Sequence, residues 1–336
     1  MEEIVGIGIV GLGTVAQTAH LPVFSKTVGC EIVAICDIDE GKAFSLQRKY
    51  RVPKVYTEYE ELLKDKRVDA VVIATPNYLH TPMAIAAIEY GKAVLCEKPI
   101  GITAQEVKEL AQIVKKRRAI FMPALNARLR PDVALIRNFI AEGELGDIFY
   151  GKTGWLQRIT KKDRPLWLQD KNQAGGGAFL TLGVHLLDTL LYLLQEKEIH
   201  RVMASFHTPE EQAIENTAIA TLKTKDSAFF TIEVGWTLLF ERDFTYLNIF
   251  GTKGAALLQP LQIVKQLHGE VLNLTPQANI GKNAYAASYK AQARYFVEAV
   301  GKGKDLPVTI EDYIPIARVI DAVYASAESG KEVRVK

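Results

Sequence analysis

Two short stretches hold the residues best suited to chemistry. The first is Glu97-Lys98-Pro99, in which an acid and an amine close an apolar run and a proline restricts the backbone behind them. Most lysines are solvated loop residues. Lys98 instead ends what reads as a buried strand. An ammonium held there can donate to a substrate oxygen and stabilise the charge that develops on it. The second stretch is Gly175-Gly176-Gly177-Ala178-Phe179-Leu180-Thr181-Leu182-Gly183-Val184-His185-Leu186-Leu187-Asp188. On a helix, Thr181, His185 and Asp188 stand at i, i+4 and i+7 and share one face. An isolated histidine on a leucine-rich helix is more often a core residue than a catalyst. Its polar neighbours and the preceding glycines, which permit close approach to a ligand or another domain, move the balance toward proton transfer.

A third motif says what these groups would work beside. Gly11-Leu12-Gly13-Thr14-Val15-Ala16 follows an apolar run and opens a helical pattern, the Gly-x-Gly-x-x-Ala arrangement of a dinucleotide turn. Gly11 permits the tight turn, Gly13 lets a pyrophosphate approach, and Ala16 lets helix and strand pack. The N–H groups around Thr14 and Val15 would face the phosphates at the positive end of the helix. Asp37 ends the next apolar run about two dozen residues on, where a carboxylate accepts from both adenosine ribose hydroxyls and repels a 2′-phosphate. A capping role is the plain alternative for Asp37. Ile38-Asp39-Glu40 adds negative charge and no arginine, which favours NAD over NADP, and Lys42 keeps NADP open. Thr75-Pro76-Asn77 and Glu97-Lys98-Pro99 follow two further apolar runs, at the edge where such sheets bind ligands. His80 reads either as a ligand contact or as a surface histidine.

The elements that must position these motifs fall into two regions. Ile4–Val10, Glu31–Asp37, Val68–Ala74 and Ala93–Cys96 read as buried strands alternating with helices at Val15–Ser25, Asp39–Lys49, Tyr59–Leu63 and Thr81–Tyr90. That alternation predicts a doubly wound parallel sheet covered on both faces. A helix over Thr103–Arg118, with Thr103 as N-cap and Glu106 three residues on, and a further strand at Ala119–Met122 complete it. From Asn126 the pattern changes. A helix at Pro131–Glu142, a strand at Asp147–Leu156 and a helix at Phe179–Leu194 precede strands at His200–Ser205, Thr217–Lys223, Ala228–Thr237, Thr245–Phe250 and Ala255–Gln259. Strands joined by short turns predict an open, mainly antiparallel sheet. Helical spacing returns at Ala286–Val300 and Ile314–Ser329. The expected organisation is α/β, with a Rossmann domain over 1–125 and an α+β substrate and oligomerisation domain over 126–336, the last helices free to pack back on the first.

Composition agrees. The 336 residues are 48% hydrophobic and 24% charged, which excludes a disordered or disulfide-stapled chain. A net charge of +2, with no basic run longer than Lys115-Lys116-Arg117-Arg118, argues against nucleic acid or an anionic membrane as the main partner. Cys30, Cys36 and Cys96 sit in or beside apolar runs and read as reduced, buried thiols, and no spacing predicts a metal site. The acidic start Met1-Glu2-Glu3 is unlike a signal peptide, and the leucine-rich Leu182–Leu194 is interrupted by His185 and Asp188. A soluble, cytoplasmic protein is the expectation.

Together, Gly11–Ala16, Asp37, Thr75–Asn77, Glu97-Lys98-Pro99, Arg128 and Gly175–Asp188, in this order, resemble the Gfo/Idh/MocA oxidoreductases along essentially the whole chain. The resemblance implies a nicotinamide cofactor, a sugar, cyclitol or related hydroxyl substrate held between domains, and dimers or tetramers formed through the open sheet. It also implies that Lys98 is the catalytic lysine and His185 the acid/base histidine, the two converging on the nicotinamide. Thr181 stands where many members carry an aspartate. Threonine cannot hold a charge opposite an imidazolium, which opens a second reading as a non-catalytic, dinucleotide-binding regulator. Cofactor contacts are expected from Gly11, Gly13, Thr14, Val15, Asp37, Ile38, Thr75, Pro76, Asn77, His80, Glu97, Lys98 and Asn126. Asn126, Arg128, Trp155, Arg158 and Trp167 are candidate pocket residues with Thr181, since aromatic faces suit sugar rings and arginine binds hydroxyls. Trp155 reads equally as a core residue. The loop Gln157–Ala174 is the expected seat of specificity. A non-sugar substrate, such as a dihydrodiol or an imine-type compound, is a third reading.

Overall fold

The computed structural model describes residues 4–159, 164–195, 197–210, 212–239, 241–276, 280 and 283–336. The acidic start at 1–3 and positions 160–163 of the Gln157–Ala174 loop lie outside them. The chain forms two compact units, Met1–Asn126 with Ala286–Ile314, and Ala127–Tyr285 with Pro315–Lys336.

The first unit is built on β1 (Val5–Val10), β2 (Cys30–Cys36), β3 (Lys54–Tyr56), β4 (Ala70–Ile73), β5 (Ala93–Cys96) and β6 (Phe121–Pro123). They form one sheet in the order β3-β2-β1-β4-β5-β6, and every pairing is parallel. This is the dinucleotide-fold order, with its switch point beside β1. Residues of β1, β4 and β5 are buried throughout, as expected of strands covered on both faces. The intervening helices are α1 (Leu21–Phe24), α2 (Glu40–Tyr50), α3 (Tyr59–Lys64), α4 (His80–Glu89) and α5 (Ala104–Arg117). Local signals set their ends. The Asp39 carboxylate caps α2 by accepting from Lys42 N–H at 2.9 Å. Thr103 Oγ1 accepts from Glu106 N–H at 3.2 Å, and Glu106 Oε2 accepts from Ile102 N–H at 3.0 Å. The expected capping box is thus present, its return bond taken one residue upstream. Strand β3 is absent from the sequence reading, because an exposed lysine and two half-buried residues at a sheet edge give no apolar run.

The second unit holds α6 (Pro131–Ala141), β7 (Ile148–Leu156), α7 (Lys171–Ala174), α8 (Val184–Leu194), β8 (Ile199–His207), β9 (Thr217–Thr224), β10 (Phe229–Gly235), β11 (Phe244–Gly251), β12 (Gly254–Leu258), β13 (Leu261–Leu267) and β14 (Glu270–Asn273). After α9 (Ala284–Lys302) and α10 (Ile310–Ser329), β15 (Val333–Arg334) completes a nine-stranded sheet in the order β14-β13-β12-β11-β7-β10-β9-β8-β15. Among the described residues of this sheet, only β7 and β10 pair in parallel. The alternation buried–exposed along β9 marks one face as packed and the other as open. Strands β13 and β14 escaped the sequence reading because the outer one is exposed at every position.

Two helical segments depart from the expected winding. Ala16–His20 and Phe179–Gly183 are wound as π-helix and run on into α1 and α8. Such wider turns re-aim side chains and are frequent at functional sites. One follows the glycine turn and the other contains Thr181. The stretch Lys171–Leu194 is long and apolar enough to cross a membrane, but it is mostly buried inside the fold, as a core helix is.

Candidate active site

The glycine turn has the shape a pyrophosphate needs. Gly11 has φ +85°, and a Cβ there would stand 2.5 Å from the Ala74 carbonyl oxygen, so β1 and β4 end too close together for any side chain. Nothing lies within 4 Å of a Cβ built on Gly13. Gly13 and Thr14 are exposed, Val15 half-buried and Ala16 fully buried. Asp37 does more than end β2. Its Oδ2 accepts from Leu12 N–H at 2.7 Å, tying the glycine turn to the second strand, and its Oδ1 accepts from Asp39 N–H at 2.9 Å and from Lys42 Nζ at 3.1 Å. Ile38 beside it is 93% exposed. These residues fit an adenosine diphosphate moiety, with an open turn, a helix start and a carboxylate at the end of β2.

At the ends of β4 and β5 the sequence expectations need revision. His80 is neither a surface histidine nor free to touch a ligand through its ring nitrogens. It is 1% exposed, with Nδ1 2.6 Å from Pro99 O and Nε2 2.8 Å from Thr75 O. It therefore straps the two strand ends together. Burial pulls its pKa down, and the two carbonyls oppose that. Thr81 Oγ1 adds a bond to Ile100 O at 2.9 Å, and Asn77 is buried in the turn between.

Beside this strap lies a group the sequence reading missed. His20, which closes the π-wound turn, is 1% exposed, and its Nε2 stands 2.8 Å from Glu97 Oε1. The other Glu97 oxygen accepts from Lys98 N–H at 3.3 Å. Tyr289 packs edge-on against the His20 ring, centroids 5.8 Å apart. The Glu97 carboxylate is thus fixed from two sides, next to the Lys98 ammonium. Burial lowers the Lys98 pKa, and Glu97 opposes the shift. A histidine four residues past Ala16 was the available signal, but only the fold brings it to Glu97. Asn126 is 2% exposed and donates to Ser288 Oγ at 3.0 Å. Burial raises the pKa of half-buried Cys30 to about 11 and of buried Cys36 to about 12, and that of Cys96 well above its ordinary value.

In the second unit the glycines approach protein. A Cβ on Gly177 would lie 1.9 Å from Glu215 O, and one on Gly176 2.0 Å from Tyr324 Oη. The expectation of a close ligand or domain contact is corrected accordingly. Glu215, 3% exposed, accepts from Gly177 N–H at 2.9 Å, Phe179 N–H at 3.0 Å and Tyr324 OH at 2.8 Å. A carboxylate from the segment before β9 thereby caps the helix that carries His185. Burial raises the Glu215 pKa, and the three donors hold it down.

The expected shared polar face is also divided. Asp188 is 1% exposed and accepts from Arg128 Nε at 2.6 Å, with the Arg128 guanidinium 5.2 Å from the Tyr192 ring centre. Breaking such a buried pair typically costs about 3–5 kcal/mol. Arg128 Nε and Asp188 are therefore spent on structure. Thr181 Oγ1 donates to Gly177 O at 2.9 Å, one turn back. His185 remains half-buried, its ring 5.8 Å from that of Trp155. Trp155 is half-buried, and its indole N–H is shielded from solvent without an acceptor. Arg158 is exposed in an isolated bridge to Thr237, and Trp167 is half-buried in the short turn Leu166–Gln169.

Comparison with known proteins bears on the whole of this arrangement. Residues 5–125 match a family profile described as "Oxidoreductase family, NAD-binding Rossmann fold", and residues 133–257 match the "GFO/IDH/MocA C-terminal domain". The chain belongs to the Gfo/Idh/MocA family. Among similar proteins, the D-glucoside 3-dehydrogenase of Escherichia coli K12 is 27% identical, over 98% of this chain and 97% of that one. The trans-1,2-dihydrobenzene-1,2-diol dehydrogenase of Macaca fuscata fuscata is 29% identical over 90% of each. A solved levoglucosan dehydrogenase, complexed with NADH and levoglucosan, has the same fold, with a TM-score of 0.87, 24% identity and coverage of 99% of this chain and 100% of that one. As a Gfo/Idh/MocA member the chain is an NAD(P)-dependent oxidoreductase with an NAD-binding Rossmann domain.

Proposed function

We propose that this Gfo/Idh/MocA member is a dehydrogenase of a carbohydrate-like alcohol or ketone, with Lys98 and His185 managing the proton. The observation that carries the reading is Glu97 and Lys98 at the carboxyl end of β5, with Glu97 fixed by His20. NAD, when bound, exchanges a hydride with the substrate carbon. Lys98 steadies the substrate oxygen, and His185, oriented against Trp155, takes or returns the hydroxyl proton. Thr181, held to Gly177 O, contributes a hydroxyl oxygen in place of a carboxylate. Gly11–Val15 receive the pyrophosphate, Asp37 the ribose, and Ile38, Thr75, Pro76, Asn77 and Asn126 line the cofactor edge or support it. Lys42 leaves a 2′-phosphate tolerable. Trp155, Arg158 and Trp167 meet the substrate.

The D-glucoside 3-dehydrogenase and levoglucosan dehydrogenase similarities support the carbohydrate class. The dihydrobenzenediol dehydrogenases, at 29% identity, support a second reading in which the diol is carbocyclic and non-sugar. Copies of the chain associate as a dimer or tetramer through the open face of the nine-stranded sheet, where Met203, Ile219 and Phe229 are exposed. The protein works in the cytoplasm. The test is NADH absorbance with NAD and a panel of sugars, glycosides, cyclitols and trans-dihydrodiols. Turnover of a sugar or cyclitol is expected. Turnover of dihydrodiols alone selects the second reading, and turnover of neither overturns both.

A further inference from the structure

Burial without a counter-charge singles out Arg164. It lies between β7 and α7 and is 5% exposed. Its Nη1 donates to the neutral amide oxygen of Gln212 at 3.2 Å, and its guanidinium lies 5.3 Å from the centre of the Trp236 ring, itself 1% exposed. Its Nε is buried without an acceptor. Elsewhere in this unit the buried Arg128 holds Asp188 and the half-buried Arg130 holds Asp132, while Arg137, also without a carboxylate among the described residues, is only half-buried and donates to Tyr192 Oη at 3.2 Å. Among the described residues no carboxylate pairs with Arg164, and burial pulls its pKa down with nothing opposing it. A desolvated cation with one neutral acceptor is strongly disfavoured unless an anion completes it.

Its place in the fold says what that anion belongs to. β7 and β10 run parallel, with Trp155 opposite Val234 and Leu156 opposite Gly235, so both leave the sheet at one edge. Beyond that edge Gln157 N–H donates to Gly235 O and Ile159 N–H to Trp236 O, which keeps the two chains together. Trp155 meets the His185 ring at this edge, and Trp236 meets Arg164. The rings that meet the proposed proton carrier and this cation, Trp155 and Trp236, therefore come from neighbouring strand ends of the same unit.

We propose that Arg164 receives the carboxylate of a sugar acid, so that the substrate is a polyhydroxylated alcohol bearing one negative charge. The inference rests on the dehydrogenase reading above. One guanidinium beside an amide and an indole balances a single charge. A phosphate, with nearly two, would be left under-compensated.

The experiment compares D-glucose, D-glucuronate and glucose 6-phosphate as substrates with NAD, and measures glucuronate binding to the NADH-loaded protein by calorimetry. In the unaltered protein kcat/KM for the uronate should exceed that for the neutral sugar by about tenfold or more. Arg164→Gln should lower the uronate value by about 10- to 100-fold while changing the neutral sugar less than about threefold. Arg164→Lys, which keeps the charge but not the fork, should recover part of the loss, and it carries the test should the glutamine variant fail to fold. Equal losses on acid and neutral sugar, indifference of the unaltered protein, or a preference for the phosphate would overturn the proposal. If none of the three is oxidised, Arg164-dependent binding of glucuronate upholds the anion site while the sugar-dehydrogenase reading fails. No uronate binding by the unaltered protein overturns the site itself.

Discussion

The two sheets of this chain obey opposite rules. In the first unit β1, β4 and β5 are buried at every position, because helices cover both faces of a parallel sheet. Such a sheet has no free face, and its chemistry is confined to the loops at the carboxyl ends of its strands. Gly11–Ala16, Asp37, Thr75–Asn77 and Glu97-Lys98 all lie there. In the second unit β9 alternates buried and exposed, so one face packs and the other is left to solvent or to another protein. The groups proposed for its chemistry come from elsewhere, from a helix end capped by Glu215 and from the segment following β7. A parallel sheet concentrates chemistry along one edge. A half-open sheet leaves one face exposed, apart from the groups proposed for chemistry.

The sharpest way to break this contrast is at the edge of the first sheet. Lys98→Met should lower turnover by about a thousandfold or more, with NAD affinity changed less than about threefold. Steady-state kinetics beside a cofactor titration checks it, and surviving turnover would move the chemistry away from β5. Next in size is the cap of the second unit. Glu215→Ala leaves the N–H groups of Gly177 and Phe179 buried without acceptors, at about 1–3 kcal/mol each. A lower denaturation midpoint and a fall in kcat through a misplaced His185 should accompany each other. A stability loss with kcat intact would separate the cap from the chemistry.

A smaller effect concerns charge. Burial places the Lys98 pKa below that of a free lysine, and the Glu97 carboxylate opposes the shift. The ammonium form is lost as pH rises through that pKa. Glu97→Gln removes the opposing charge, so the alkaline limb of kcat/KM should move to lower pH. A limb that stays in place would deny Glu97 this role. The smallest effect on the fold is expected on the open sheet face. Phe229→Glu should change monomer stability by about 0.5 kcal/mol or less while shifting the sedimentation profile toward smaller species. An unchanged assembly would place the subunit contact elsewhere.

Much of the first unit was legible because its signals are local. Buried parallel strands are unbroken apolar runs, a glycine turn needs fixed positions, and the Thr103 cap lies three residues from Glu106. The short β3 and the outer β14 were illegible, since these edge strands lack a buried face to leave a pattern, and β13 beside β14 buries only Ile263. The site was only half legible. Residue type and spacing proposed Lys98, His185 and Asp37, and they put Asp188 on the same helix face and Arg128 in a pocket, whereas those two pair with each other in buried surroundings. It also left His80 open between ligand and surface when it straps two strand ends.

By itself the sequence determined which residues are able to bind a dinucleotide and exchange a proton, since side-chain type and short-range spacing suffice for that. Only the tertiary structure decided which of them are already occupied. Glu97 is engaged by His20, Glu215 by two N–H groups and a phenol, and Asp37 by the glycine turn, through bonds spanning 77, 36 to 109 and 25 residues. The physical reason is that a buried polar group must find a partner, and for residues so far apart along the chain that partner is fixed by how strands and helices pack.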